Sequence, residues 1–197
     1  PTIYNKKEKS YFFTTQPVRV ENQKELVQYI TKHDISKPII YTLSSRIPKE
    51  YIDAISDGVL YWNKAFGKNF ISIQNESSQV LSQNRIEWVN DEKSDFCYAS
   101  LEINPLSGEI TGSSIYLHSG FFINYANDFK ITNIFETHQN KDSLTHKQLL
   151  NTLTRNIAHE VGHTLGLRHN FMGNAEPNLE KSIPSSTVMD YLSPKLN

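Results

Sequence analysis

Cysteine is almost absent from this 197-residue chain: Cys97 stands alone, so neither an intrachain disulfide framework nor a cysteine-built structural zinc site can form. The fold must therefore rest on its core. Cys97 itself, in the strand-like run 96–101, reads as a small buried hydrophobe. Long apolar runs are missing too, and nothing approaches the roughly 18 consecutive apolar residues of a membrane-crossing helix. Neither sign of charge is in excess: 20 Lys and Arg face 21 Asp and Glu, a formal net charge of −1, with no long block of either sign. That balance gives no footing for nucleic acid. Internal repeats and low-complexity tracts are lacking. The chain opens at Pro1 without Met or a charged-then-apolar leader, which reads as a processed or excised product. What is present, 38% hydrophobic and 11% aromatic residues, is enough for one globular unit with a sizeable core.

Residues 1–16 show no period, and Pro17 interrupts any regular element, so they read as an arm or irregular strand. Leu26, Val27 and Ile30 recur at helical spacing and predict a short helix within 21–30. The boundary then falls at 37, with the main domain over 38–197. Residues 38–43 are β-branched and aromatic, a strand. Ile52, Ile55, Val59, Trp62 and Phe66 step by three or four and predict a backing helix over about 49–66, opened by Pro48 and stopped at Gly67. Four further strands are expected at 70–74, 85–89, 96–103 and 113–117, with a turn at 104–108. The span 118–142 reads as an unusually long loop, the kind that often borders a site. From about 143 a second helix runs to Gly166, its buried side marked by Leu149, Leu150, Leu153, Ile157, Val161 and Leu165. The fold class is therefore α+β: a mixed sheet of about five strands, two helices, and an irregular C-terminal part.

The second helix carries His159-Glu160-Val161-Gly162-His163. Residues four apart lie above one another on one helical face, so both imidazoles can converge on one ion. Glu160 is rotated about 100° from His159, out of ligand position but beside a metal-held water, which is where a base belongs. A continuing helix would carry His169 away, whereas Gly166 can adopt a left-handed conformation and turn the chain back, making His169 a third ligand. Three protein ligands with one open position describe a catalytic zinc, since structural zinc sites close all four. A chain of this composition would show the five fixed residues of H-E-x-x-H-x-x-G-x-x-H by chance with odds on the order of one in ten thousand or less, so accident is a poor explanation.

This long motif resembles that of the metzincin clan of zinc peptidases, whose second hallmark is a tight turn bearing Met beneath the metal. Thr187-Val188-Met189-Asp190-Tyr191, twenty positions beyond His169, is similar to that turn. The resemblance implies that Met189 forms an apolar floor under the imidazoles. It also implies that Tyr191 can approach the metal or the tetrahedral intermediate, as in the astacin and serralysin branches. The fuller phrase HEVGHTLGLRHNF, with VMDY later, is similar to a family of bacterial zinc-dependent metalloproteases that are mostly large and multidomain. The stretches 61–66 and 105–110 extend that similarity over about 38–192. The implied fold is zincin/metzincin-like, with an upper lobe at about 38–165 and a lower lobe at about 166–197. Metzincins usually have a helix after the Met-turn, and only six residues follow Tyr191, so that helix is expected to be trimmed or missing. Substrate is implied to lie extended along an exposed edge strand, placed at Phe96, Cys97, Tyr98, Ala99, Ser100 and Leu101, and the implied location is secreted or in a bacterial cell envelope.

The expected function is a zinc-dependent endopeptidase acting on protein or peptide as a monomer, with one catalytic zinc on His159, His163 and His169, a metal-activated water and Glu160 as general base. Two other readings stay open: a binding module that keeps the zinc scaffold without turnover, and a hydrolase of non-peptide amides. Asp91, Glu92 and Asp95 could contribute to a calcium site, against the plainer reading of a solvated turn. His33, His118, His138 and His146 lack ligand spacing and read as surface or loop residues.

Overall fold

The computed structural model describes residues 3, 11–21, 25–77, 82–94, 96–124, 141–175 and 185–190. Five of the β-branched and aromatic runs form one mixed sheet: β1 (Ile39–Leu43), β2 (Ile71–Asn75), β3 (Asn84–Val89), β4 (Cys97–Ile103) and β5 (Ile110–His118). The order is β2-β1-β3-β5-β4. β1 runs parallel to β2 and β3, β3 runs parallel to β5, and β4 alone is antiparallel to its neighbour β5. β1 is buried along nearly its whole length, as a strand covered on both faces must be. β4 alternates strictly, with Cys97, Ala99, Leu101 and Ile103 half-buried and Tyr98, Ser100 and Glu102 exposed, as befits an edge strand with one wet face. The antiparallel partner follows from the tight turn between β4 and β5, where the Asn104 carbonyl accepts from Gly108 N–H at 2.8 Å.

Two helices form a layer over the sheet: α1 (Ile52–Ala65) and α2 (Lys141–Thr164). The apolar stripe of α1, with Ile55, Val59 and Trp62, meets that of α2, with Leu153, Ile157 and Val161, in a single hydrophobic cluster that also takes in Tyr41, Ile86, Ile115 and Leu117 of the sheet. Gly58 makes the crossing close: a Cβ there would sit 2.5 Å from the Thr154 carbonyl oxygen and 2.6 Å from the Ile157 Cβ. Polar contacts then set the roll of α2. Thr154 Oγ1 donates to the Ala54 carbonyl at 3.0 Å, and Trp62 Nε1 donates to the Ala158 carbonyl at 2.8 Å. Asn63 ties the end of α1 to β2, its Oδ1 accepting from Phe70 and Ile71 N–H while its Nδ2 donates to the Ile71 carbonyl.

Two expectations are corrected. No helix is present at 25–30, which is the described part of the helix expected over 21–30. That segment is extended and forms antiparallel bridges, Val18 with Val27, Thr14 with Ile30 and Ile3 with Tyr29. The reason is a period of two: Val27, Tyr29 and Thr31 are buried while Leu26 is 60% exposed. The long loop expected over 118–142 is also shorter at both ends. Residues 111–118 are strand, 119–124 are helical, α2 already begins at Lys141, and 125–140 lie outside the described residues. Among the described residues no helix is long and apolar enough to cross a membrane.

Alanine is the better helix former by about 1 kcal/mol, so helix propensity alone predicts that Gly58→Ala stabilises. The contact geometry predicts the opposite sign, a net loss of about 1–3 kcal/mol from overpacking at the helix crossing. Urea unfolding of the two chains decides it, and a variant as stable as wild type would mean that the helices separate at little cost.

Candidate metal centre

α2 brings His159 and His163 one above the other, and the way it ends brings in His169. Gly166 has φ +94°, its N–H donates to the His163 carbonyl at 2.9 Å, and Leu167 N–H donates to the Gly162 carbonyl at 3.0 Å. These two bonds are a Schellman ending, which satisfies the last carbonyls and reverses the chain. The residue at its left-handed position must be glycine for a second reason: a Cβ would lie 2.5 Å from the Thr31 carbonyl oxygen. One ligand atom from each of His159, His163 and His169 then lies within 4.8 Å of the other two, and this is the metal-competent group of three or more His, Cys, Asp or Glu among the described residues.

Backbone carbonyls orient two of the rings. His159 Nδ1–H donates to Val188 at 2.8 Å, and His163 Nδ1–H donates to Leu167 at 2.8 Å. With Nδ1 protonated, Nε2 of each neutral ring keeps its lone pair, and His163 Nε2 lies 3.0 Å from His169 Nε2. Burial lowers the pKa of all three imidazoles, that of His159 to about 4, so they are neutral at pH 7. Three neutral imidazole nitrogens that converge, with Nδ1 of two of them fixed by carbonyls, fit a zinc ion.

Glu160 faces the opposite electrostatic problem. Burial raises its carboxyl pKa to about 7, partly offset by a hydrogen bond from the Ala99 backbone N–H. The same enclosure acts on Cys97, whose thiol burial pushes up to about 12, with Glu160 adding to the shift. The thiol is therefore neutral and apolar, in keeping with a small hydrophobe rather than a ligand.

Met189 is 3% exposed and sits under α2 at Gly162, where a Cβ would lie 2.2 Å from the Met189 sulfur and 2.8 Å from Trp62. Its turn is internally bonded. Met189 N–H donates to Thr187 Oγ1 at 3.1 Å, Ser185 Oγ donates to Asp190 at 2.9 Å, and the Met189 carbonyl accepts from Asn170 N–H, the residue after His169, at 2.9 Å. Tyr191 lies outside the described residues. Phe96 and the strand through Leu101 lie at the sheet edge, with Ala99 N–H turned to Glu160.

Two histidines read as surface or loop residues lie deeper than that. His118 is 9% exposed at the end of β5: it points to the opposite face from buried Ile115 and Leu117 and is covered there by Phe96, ring centres 4.9 Å apart, and by Tyr98. His33 is half-buried, its Nε2 donating to the Thr164 carbonyl at 2.9 Å. His146 is exposed as expected, and His138 lies outside the described residues. Asp91 accepts from Lys93 N–H and Ser94 Oγ within its own turn and lies 3.7 Å from His118 Nδ1, while Asp95 lies outside the described residues. Sequence reading did not reach the carbonyls of Leu167 and Val188, which act through the backbone and leave no residue-type signal. Gly162, an unspecified position of the motif, could have been flagged as the one site on that helix face without a side chain.

A folded carboxyl whose pKa is raised from 4.5 to about 7 contributes stability that is fully present below pH 4.5 and is lost as the pH climbs through 7. Metal-free Glu160→Gln carries no such charge. It should exceed metal-free wild type in stability by roughly 1–3 kcal/mol at pH 8, with most of that gap closed by pH 5. Urea midpoints in chelator at the two pH values measure this, and equal midpoints at pH 8 would contradict it.

Comparison with known proteins points the same way for the C-terminal part. No curated protein sequence matches the chain. A solved structure described as the GM1 bound form of the ECX AB5 holotoxin is similar at 20% identity and a TM-score of 0.42, over 75% of this chain and 62% of that one. Residues 139–197 match a family model described as Met-zincin, and this match, with the three-histidine group inside it, supports a metzincin-like family and a zinc metallopeptidase-like function.

Proposed function

We propose that the chain is a zinc-dependent endopeptidase that hydrolyses peptide bonds with Glu160 as general base. The observation that carries this reading is the triad of neutral imidazoles within 4.8 Å, with a half-buried carboxyl group one residue along the same helix. His159, His163 and His169 would hold the ion through ring nitrogens, and two of those rings are already oriented by the Val188 and Leu167 carbonyls. When bound, zinc supplies Lewis acidity toward a water and a peptide carbonyl.

The protein's own groups do the rest. A Glu160 carboxylate oxygen takes the proton of the attacking water and returns it to the leaving amine nitrogen. A pKa lifted by burial suits both halves of that exchange, because a carboxylate with an ordinary pKa is a weaker base. The Ala99 N–H keeps one oxygen from swinging away, so the proton is exchanged at a defined place. Tyr191 would donate to the developing oxyanion. Met189, in the turn that this reading identifies as the Met-turn, fills the space beneath the rings and excludes water there. An extended peptide would add to the outer edge of β4 through main-chain hydrogen bonds, since β4 pairs only with β5 among the described strands. The substrate class is thus protein or peptide, and the site of action is outside the cytoplasm, secreted or in the cell envelope.

Elemental analysis and cleavage of an unfolded protein, on wild type and Glu160→Ala, test this together. The expected result is one zinc in both chains, with turnover reduced by at least about a thousandfold in the variant. Full activity in Glu160→Ala would remove it from the mechanism. One zinc in both chains with neither active would instead favour a non-catalytic zinc scaffold.

A further inference from the structure

We propose that the extended N-terminal segment 11–15 is a positioning element of the metal centre, its backbone holding the turn before His169 and the Phe13 ring supporting His163. This inference rests on the zinc reading above. Beyond the Schellman ending, the segment 166–168 that leads to His169 belongs to no helix or sheet, yet its polar groups have partners on both sides. The Gly166 carbonyl accepts from Phe13 N–H at 2.8 Å, and Arg168 N–H donates to the Tyr11 carbonyl at 2.8 Å. Between them Phe12 and Leu167 form an antiparallel bridge. The Leu167 carbonyl is the acceptor for His163 Nδ1–H. The extended segment 11–13 therefore grips the residues on either side of the carbonyl that orients one ligand, and it does so directly before the next ligand. The half-buried Phe13 ring adds a tilted contact to the His163 ring, centres 5.7 Å apart.

The segment is itself anchored. The Phe13 carbonyl accepts from Thr31 N–H at 2.9 Å and from Thr31 Oγ1 at 3.1 Å, while Thr15 and Tyr29 exchange two more bonds at 2.9 and 3.0 Å. Thr31 is fully buried, and its carbonyl is the atom that a Cβ on Gly166 would strike. His33, two residues on, donates to the carbonyl of Thr164, the last residue of α2. The extended segments 11–15 and 29–33 together form a cradle for the turn, and the turn carries the ligands. Supporting groups of this kind typically change metal affinity by 10–100-fold when removed.

The test uses the full chain and zinc alone, with affinity read by competition against a chromophoric chelator well below the melting temperature. Phe13→Ala should bind zinc at least about tenfold more weakly than wild type and release it faster, while metal-free Phe13→Ala still folds. Phe13→Tyr, which keeps the ring, should restore affinity to within about twofold. If Phe13→Ala does not fold, Phe13→Leu takes its place with the same expected direction. Cobalt substituted for zinc supplies a second readout, since a displaced His163 would alter the visible absorption of the bound ion. In a His163→Ala background the Phe13→Ala loss should shrink, because the ring against which Phe13 packs is gone. Zinc bound equally by wild type, Phe13→Ala and Phe13→Leu would overturn this proposal alone. A wild type that takes up no zinc would overturn it together with the peptidase reading.

Discussion

The arrangement depends on the left-handed step at Gly166. A helix end normally leaves carbonyls exposed, and here the solution to that generic problem also delivers the third imidazole: the bonds from Gly166 and Leu167 back into α2 reverse the chain within two residues. Any side chain at that position would meet both an unfavourable φ and the Thr31 carbonyl. The constraint is thus local in its backbone term and tertiary in its steric term, and both demand the same residue.

Everything else serves to hold α2 where that turn is useful. Gly58 lets α1 approach α2 closely enough for Trp62 to donate to the Ala158 carbonyl, one residue before His159. Gly162 plays the matching part on the other side, leaving room for Met189 and Trp62 to pack against the helix between His159 and His163. The Val188 and Leu167 carbonyls then turn rings that the helix has only placed. Burial does the electrostatic work. It keeps the imidazoles neutral and therefore able to ligate, and it makes the neighbouring Glu160 a stronger base than an exposed carboxylate.

Much of this is legible in the residues in order. Helical spacing marked α1 and α2 to within a few positions, β-branched runs marked all five strands, and the motif with its glycine pointed to the three histidines that converge. The misreadings share a cause. Leu26, Val27 and Ile30 fit a helical period, but the buried side is Val27, Tyr29 and Thr31, and only the pairing of this segment with residues 14–18 reveals a period of two. His118 fell at the supposed start of a loop because β5 runs longer than its apolar core suggests.

By itself, then, the sequence determined the two main helices, the five sheet strands, the three histidines that converge and the need for a glycine at 166, because these depend on residue type and on spacings of two to four positions. Only the tertiary structure decided that β4 pairs antiparallel with β5, that its Ala99 N–H meets Glu160, and that the segment 11–15 closes on the turn before His169. Those contacts join backbone groups far apart in the chain. A carbonyl or an amide is the same chemical group at almost every residue, so nothing in the residue order marks which ones will meet.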